Sequence, residues 1–395
     1  MTFAKRINAL QPSATMAVLE AAARLREQGV DVISFGAGEP DFDTPQHIID
    51  AANTALEQGK TRYTPASGTL DLKKAVSAKL KRDNQLEYAP NQIVVSNGAK
   101  HSLFNIMMTL FEEGDEVLIL KPYWVTYPEI VKLSGATPVY VETVEADNFQ
   151  VSVDQLRQVI TPRTRGIIVN TPSNPSGAIL NQTSLQAIVD ATADNNMWII
   201  SDECYEALVY DGEHLSLANF EGAFNRTITV QTLSKAYAMT GWRMGYTASN
   251  VELAGAMGKF QGQATGCPNS IAQYSSQVAL TADHRFLDGW RQEFVQRRNF
   301  MVEALDAMDG ISCIMPEGAF YAFPKVSGLF GKQFEGFKIK DDVDLTKYLL
   351  DAAHITVVPG SAFGAPDHIR LSYATSLDAI KTGLGRFAEA VAKLN

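Results

Sequence analysis

Residues 227–245 read TITVQTLSKAYAMTGWRMG, and they join a short apolar run to a lysine just beyond its end. The β-branched residues 227–230 are typical of a strand. The small and apolar residues around Lys235 indicate that its side chain points inward. A partly buried lysine has a lowered pKa and becomes a nucleophile toward carbonyl groups. Ser234 and Arg243 would suit a phosphate, the serine as a donor and the arginine as a fork.

Similar strands recur upstream, and helical periodicity separates them. The predicted strands are residues 92–95, 116–120, 166–170, 198–201 and 227–230, with helices over 99–111 and 183–194. Strands that alternate with helices predict an α/β fold whose sheet is mostly parallel and flanked by helices. Ligands bind at the carboxyl ends of the strands in such sheets.

The last third of the chain changes character. A long charged helix over residues 285–309 is followed by shorter strand-like pieces at 319–323, 355–358 and 369–373. Near the N-terminus, a helix over 16–28 precedes a loop rich in glycine and proline at 36–45. We therefore predict an N-terminal arm with part of the small domain (1–45), a large domain (46–285) and a smaller α+β domain (286–395).

Composition narrows the class of protein. The chain has 395 residues, of which 46% are hydrophobic and 20% charged, as expected of a globular protein with a sizeable core. The net charge of -10 argues against nucleic acid as a partner. No apolar run suits a signal peptide or a membrane span, which predicts a cytoplasmic protein without a membrane partner. The odd number and wide spacing of Cys204, Cys267 and Cys313 argue against a disulfide framework and a structural zinc site.

The block around Lys235 resembles that of the class I/II, fold-type I aminotransferases, which use pyridoxal 5′-phosphate (PLP). The family pattern has a small residue before the lysine, then a glycine two residues before an arginine. Lys235, Gly241, Arg243 and Gly245 match it, whereas Thr232 stands where the family usually has Gly or Ser. The resemblance implies a PLP cofactor held as a Schiff base by Lys235, with Thr232 and Ser234 near its phosphate. It also implies the fold-type I architecture, in which a seven-stranded, mostly parallel sheet forms the large domain.

Other motifs match the family in the same order along the chain. Asp202 and Tyr205 follow a predicted strand, and the resemblance implies that they contact the pyridine nitrogen and the ring 3′-oxygen. Asn174, in an Asn-Pro-x-Gly turn, would contact the 3′-oxygen and the substrate carboxylate. The resemblance also implies a cis bond at Pro175. Taken alone, each of these residues also suits an ordinary cap or turn.

The cofactor phosphate has a further predicted site. Gly98, Ala99 and Lys100 open a helix, and backbone N–H groups at a helix N-terminus bind anions. The resemblance implies that Gly98 and Ala99 hold the phosphate and that Trp124 stacks on the cofactor ring. Tyr63 matches a tyrosine that reaches the phosphate of the neighbouring subunit, which implies a homodimer with shared active sites.

Arg370 and Gly38 match two family contacts to the substrate α-carboxylate. An arginine fork there would orient an amino acid with its Cα–H toward Lys235. The implied reaction is transamination in two halves: Lys235 moves a proton from the substrate Cα to the cofactor C4′, and a second keto acid then reverses the steps. This scheme predicts ping-pong kinetics.

Substrate choice rests on two positions. The N-terminal PSAT segment, the GEPDFDTP run and Gly98–Lys100 resemble the Iβ branch, the aspartate or aspartate/prephenate aminotransferases. In that branch the positions of Lys100 and Thr15 are thought to read the distal carboxylate. The resemblance therefore implies transfer of an amino group from L-aspartate to 2-oxoglutarate. By itself, Lys100 also suits a first-turn helix residue that points to solvent.

Several alternatives remain open. The chain could be an aminotransferase for prephenate, alanine or aromatic amino acids, or a PLP-dependent C–S lyase on the same fold. A PLP-binding transcriptional regulator would need a helix-turn-helix region, for which there is no room before Pro12. A nicotinamide dehydrogenase, a metalloprotease and a Gly-x-Ser-x-Gly hydrolase are disfavoured, since their motifs do not occur.

Overall fold

The computed structural model describes residues 2–395 and has an α/β fold, as predicted. The helices are α1 Lys5–Asn8, α2 Ala14–Glu27, α3 Gln46–Glu57, α4 Leu70–Asn84, α5 Ala99–Leu110, α6 Thr126–Ser134, α7 Val153–Val159, α8 Gln182–Ala193, α9 Val251–Ala264, α10 Ser270–Thr281, α11 Phe286–Asp306, α12 Asp342–Ala353 and α13 Leu377–Ala392. The strands are β1 Ile33–Ser34, β2 Ile93–Ser96, β3 Glu116–Leu120, β4 Thr137–Val141, β5 Thr164–Asn170, β6 Trp198–Asp202, β7 Thr227–Thr232, β8 Gly245–Ala248, β9 Tyr321–Ala322, β10 Gln333–Phe334, β11 Phe337–Lys338, β12 Ile355–Thr356, β13 Val358–Pro359 and β14 Ile369–Ser372.

A seven-stranded sheet, in the order β2-β8-β7-β6-β5-β3-β4, forms the centre of the molecule. Only β8 runs antiparallel to its neighbours within this sheet, so the prediction of a mostly parallel sheet is confirmed. Apolar residues of β5, β6 and β7 are buried on both faces, as expected where helices cover a parallel sheet. The carboxyl ends of these three strands therefore meet at one edge.

The C-terminal third is built on smaller sheets. Strands β13, β14 and β9 form an antiparallel sheet, and β12 pairs in parallel with β1. The pairing of Ile33 with Ile355 ties the N-terminal segment to this region. The division into domains at residues 45 and 285 stays a prediction.

Two local expectations need adjustment. The predicted strand 355–358 is two strands, because β12 pairs with β1 whereas β13 pairs with β14. The expected cis bond at Pro175 is wrong: within residues 2–395 the cis bonds precede Pro122 and Pro172. The turn before Gly177 instead closes through backbone bonds, with Gly177 N–H donating to the carbonyl of Ser173 (2.9 Å).

Among the helices of residues 2–395, none is long and apolar enough to cross a membrane.

Candidate active site

Polar side chains gather where three parallel strands end. Asn170 ends β5, Asp202 ends β6 and Thr232 ends β7. All three line one cavity of about 480 Å³ at the edge where ligands bind in such sheets. The predicted site residues that line this cavity are Thr15, Gly38, Ala99, Lys100, Trp124, Asn174, Asp202, Tyr205, Thr232, Ser234, Lys235, Arg243 and Arg370.

Lys235 lies in the loop after β7 and points into the cavity. Its ammonium donates to the carbonyl oxygen of Gly38 and lies 5.6 Å from the ring centroids of Tyr205 and Phe320. Burial is the main cause that lowers the pKa of Lys235 to about 8. An amine with this pKa has a substantial neutral fraction near pH 7, as a nucleophile or a proton carrier requires.

A cradle for an anion lies beside this lysine. Gly98 caps α5 with a φ of +83°, and a Cβ there would lie 2.5 Å from Nη2 of Arg243. Glycine therefore allows the guanidinium to approach the N-terminus of α5. Ser234 is buried and accepts a bond from the Thr232 hydroxyl (2.9 Å). Hydroxyls, a guanidinium and a helix N-terminus suit a phosphate.

Arg243 itself donates to backbone carbonyls, at 2.8 Å to Thr240 and 3.4 Å to Asn97. Among residues 2–395, its guanidinium forms no ion pair with a carboxylate. Its positive charge is thus available to a ligand.

Asp202 is the acid at the floor of the cavity and is 4% exposed. Burial raises the pKa of this carboxyl, and the bonds it accepts oppose that shift. The Tyr127 hydroxyl donates to Oδ2 (2.6 Å), and the Cys204 backbone N–H donates to Oδ1 (3.2 Å). The side-chain amide of Asn170 donates to the Asp202 carbonyl (3.0 Å) and holds its backbone.

Two tyrosines meet above Asp202. The hydroxyls of Tyr205 and Tyr321 are 2.9 Å apart, and both rings are buried. Tyr321 also lies under the guanidinium of Arg370, at 4.5 Å from its ring centroid. Tyr321 therefore connects the strand that carries Arg370 to the residue predicted to contact the cofactor ring.

Arg370, on β14, is the buried cation of the cavity, with 1% of its surface exposed. It donates to the side-chain oxygen of Asn174 (2.9 Å) and to the carbonyl of Gly36 (3.0 Å), whereas its Nε has no hydrogen-bond partner in the described part of the chain. Burial lowers its pKa. Within residues 2–395 no carboxylate neutralises it, and a buried charge without a counter-ion is costly. Such an arginine suits a carboxylate ligand.

Lys100, at the cavity wall, is a third cation that forms no ion pair with a carboxylate of residues 2–395. Its ammonium lies 4.9 Å from the ring centroid of Trp124. Burial, followed by the charge of Arg243, lowers the pKa of Lys100. Thr15, in the first turn of α2, lines the same cavity. The side chain of Lys100 thus faces an aromatic wall of the site.

Two predicted site residues, Gly98 and Tyr63, do not line this cavity. Gly98 lies at the N-terminus of α5 beside the Arg243 guanidinium. Tyr63 lies on the surface. Its side chain is 98% exposed, and it is absent from the cavity lining. That position is compatible with a role in a neighbouring subunit, which stays a prediction.

Tyr127, Cys204 and Tyr321 are among the cavity residues that sequence reasoning did not assign to the site. Cys204 lies inside the Asp-x-x-Tyr motif that the sequence singled out. Tyr127 lies in the first turn of α6, and Trp124 precedes that helix, so helical periodicity did not single out Tyr127. Tyr321 lies at the centre of the predicted strand 319–323, but its hydrogen-bond partner, Tyr205, is 116 residues away in the sequence.

The residues of the cavity fit PLP. Lys235 is an amine with a lowered pKa, and Asp202 is a buried carboxylate that could pair with a protonated ring nitrogen. Ser234, Arg243 and the N-terminus of α5 form the anion cradle described above. An amine, an acid and a phosphate cradle around one cavity are the groups that this cofactor requires.

Comparison with known proteins also identifies aminotransferases as relatives of this chain. The profile of the family described as Aminotransferase class I and II matches residues 30–387. The aspartate aminotransferase of Bacillus subtilis is 43% identical over 395 residues, which is 100% of each chain. The aspartate/prephenate aminotransferase of Thermus thermophilus is 40% identical over 98% of each chain. The crystal structure of the aspartate aminotransferase from Rhizobium meliloti superposes with a TM-score of 0.97, at 43% identity and 100% coverage of both chains.

Proposed function

Since the chain belongs to the class I and II aminotransferase family, we propose that it transfers the amino group of L-aspartate to 2-oxoglutarate, giving oxaloacetate and L-glutamate. The chain is a PLP-dependent aminotransferase, and our proposal concerns its substrate, aspartate. The observation that carries it is a pair of cations, Arg370 and Lys100, which face one cavity with Lys235 and have no carboxylate partner among residues 2–395. A dicarboxylic amino acid offers one carboxylate to each.

The cofactor would be held by residues of the large sheet. PLP, when bound, supplies an aldehyde carbon for the amino group and a protonated ring that takes up electrons from the substrate Cα. Asp202 would keep the ring nitrogen protonated, and Tyr205 with Asn174 would contact the 3′-oxygen. Thr232, Ser234, Arg243, Gly98 and Ala99 would surround the phosphate, and Trp124 would cover the ring face.

Lys235 has two roles in this proposal. Its amine would hold the cofactor through the aldehyde carbon while no substrate is bound. The freed amine of Lys235 would then move a proton from the substrate Cα to the cofactor C4′. A pKa near 8 supports this role, because the amine can both accept and release a proton close to neutral pH.

Arg370 would orient the substrate. Its guanidinium would fork onto the α-carboxylate, in place of a counter-ion that the described residues do not provide. Asn174 already fixes the orientation of that guanidinium, and the Gly38 backbone lies beside the same pocket. Holding the Cα–H toward Lys235 lowers the entropic barrier of the proton transfer.

Lys100 and Thr15 would bind the distal carboxylate of the substrate. The same two positions would serve prephenate, which also carries a second carboxylate, and a 40% identical relative is named aspartate/prephenate aminotransferase. We therefore propose prephenate as a second amino acceptor. It is tested by replacing 2-oxoglutarate with prephenate while glutamate or aspartate serves as donor.

The chain is proposed to act as a homodimer with shared active sites. The 98% exposure of Tyr63 supports this arrangement, since a tyrosine ring that exposed is available to a second copy. If Tyr63 reaches the partner's phosphate, Tyr63→Phe should weaken PLP binding although the residue lies outside its own cavity.

An absorption spectrum tests the function directly. The purified protein should show the visible band of bound PLP, and L-aspartate added without a keto acid should convert it to the band of the aminated cofactor. A band that aspartate leaves unchanged would contradict the aspartate proposal and favour another amino acid. Release of ammonia would instead indicate lyase chemistry. No band after addition of PLP would contradict the role of Lys235.

A further inference from the structure

A buried tyrosine contacts the acid at the floor of the candidate active site. The Tyr127 hydroxyl donates to Oδ2 of Asp202 at 2.6 Å, and both side chains are more than nine-tenths buried. A bond to a carboxylate in a buried site stabilises the ionised form and fixes its orientation. Tyr127 lies on α6, a different element from the strand that carries Asp202, so the bond links two parts of the site.

Tyr127 also contacts the aromatic wall of the cavity. Its ring packs edge-to-face against Trp124, with centroids 5.4 Å apart and planes at 84°. Trp124 is the residue proposed to cover the cofactor ring, and Asp202 the residue proposed to pair with the ring nitrogen. One side chain therefore holds both groups that would contact the cofactor ring.

We propose that Tyr127 is a positioning residue: its hydroxyl holds Asp202 ionised and aimed at the pyridine nitrogen of the cofactor, while its ring sets the plane of Trp124. This inference rests on the proposed function. Tyr127 acts through Asp202 and Trp124.

The surroundings of Asp202 make this hydroxyl important. Burial raises the pKa of the carboxyl, and Glu203, the next residue, raises it further by its charge. The opposing contributions come from Cys204 and from Tyr127. Across the cavity, Lys235 is the cation whose charge reaches the Cys204 thiol. Removal of the Tyr127 hydroxyl therefore raises the pKa of Asp202, and the carboxyl becomes protonated at a higher pH.

Tyr127→Phe tests the proposal, since it removes the hydroxyl and keeps the ring. PLP is titrated into the apo-protein across a range of pH, and binding is followed by absorbance. We expect about tenfold weaker binding near neutral pH, and an acid limb of the affinity profile that moves up by about one pH unit. An unchanged affinity and an unchanged acid limb would overturn the proposal.

Two further variants separate positioning from general packing. Tyr348→Phe removes another buried hydroxyl, which donates to the carbonyl of Ala390 (2.8 Å) far from the cavity, and it should leave the PLP profile unchanged. In an Asp202→Asn background, Tyr127→Phe should cause no further shift of the acid limb. An equal shift in both backgrounds would contradict the role assigned to the Tyr127–Asp202 bond.

The wild-type titration distinguishes a failure of the proposed function from a failure of the role assigned to Tyr127. If the wild-type protein binds no PLP, the proposed function fails. If it binds PLP and the two profiles coincide, only the role of Tyr127 fails. Urea unfolding of Tyr127→Phe shows that the variant is folded, so that weakened binding is not a folding defect.

Discussion

Two clusters of charged residues lie on either side of the same strand ends, and they differ in how their charges are paired. Asp202 faces the candidate active site, whereas Glu203, the next residue, faces a second cluster that we call the Glu203 network. The members of this network are Lys79, Asn84, Ser201, Glu203, Glu206, His214, Ser216 and Gln231.

In the Glu203 network each charge has a partner within the chain. Lys79, 4% exposed, contacts Glu206 and donates to Gln231 (2.9 Å). Glu203 accepts from Ser216 (2.8 Å) and lies 3.2 Å from His214. In the active site the cations Arg370, Arg243 and Lys100 have no carboxylate partner among the described residues. Removing one partner of a buried pair is strongly destabilising, whereas an unpaired buried charge such as that of Arg370 indicates a site for a ligand.

The largest expected effect is that of Lys235→Ala. Loss of the amine should reduce kcat for aspartate by about 10⁴-fold, the upper range for proton transfer by a positioned side chain. Steady-state kinetics measures the loss. A small primary amine added to the solution should restore part of the activity of this variant and none of a misfolded one. Retention of wild-type turnover would contradict the role of Lys235.

The next prediction compares the two clusters through matched substitutions. Arg370→Met should reduce kcat/KM for aspartate by about 100-fold, because charged hydrogen bonds to the substrate are worth about 1.5–3 kcal/mol each. Its free energy of unfolding should stay within about 1 kcal/mol of wild type, since it removes an unpaired buried charge.

Lys79→Met should behave in the opposite way. It leaves Glu206 without its cation, which should lower the free energy of unfolding by about 3–5 kcal/mol. The kcat/KM of the folded protein should be unchanged. Urea unfolding and kinetics of both variants measure the contrast. If Arg370→Met were the more destabilising of the two, the distinction between paired and unpaired charges would be wrong.

The two clusters also differ in how much the sequence could predict. The strand 227–230 and the block around Lys235 lie together in sequence, so both the sheet and the lysine were predictable from local pattern. Matches in family order singled out most of the polar residues that line the cavity, and their roles stay predictions. Tyr127, Tyr321 and the Glu203 network depend on side chains from separate elements, such as Lys79 on α4 and Glu203 after β6. No local pattern records such contacts.

A smaller effect is expected at the wall of the active site. Lys100→Ala should lower kcat/KM for aspartate by about tenfold, a modest loss because the ammonium is partly exposed. Turnover of alanine, which has no distal carboxylate, should change little. Lys121→Ala is the matched control, because this lysine also lies over an aromatic ring (5.4 Å from the Tyr140 centroid) but outside the active site. Equal losses for aspartate and alanine would contradict the role of Lys100.

The smallest expected effect concerns stability and pH in the Glu203 network. Burial opposes the charge of Glu203, but His214 and the hydroxyls of Ser216 and Ser201 outweigh it and lower the pKa of Glu203. Burial likewise opposes the charge of His214, but the bond to Glu203 outweighs it and raises the pKa of His214 above 6.5. The contribution of His214 to the free energy of unfolding is therefore complete below pH 6.5. It is lost as the pH rises through the higher pKa that His214 has in the folded protein.

The contribution of Glu203 to the free energy of unfolding has the opposite pH dependence. It is complete above the usual value of 4.5 and is lost as the pH falls through the lower folded value. His214→Gln removes the charge and keeps an N–H donor. Urea unfolding across pH should show the largest advantage of wild type between 4.5 and 6.5, with a decline on either side. A pH-independent difference would mean that His214 contributes packing alone, and that the Glu203 network is held by its neutral hydrogen bonds.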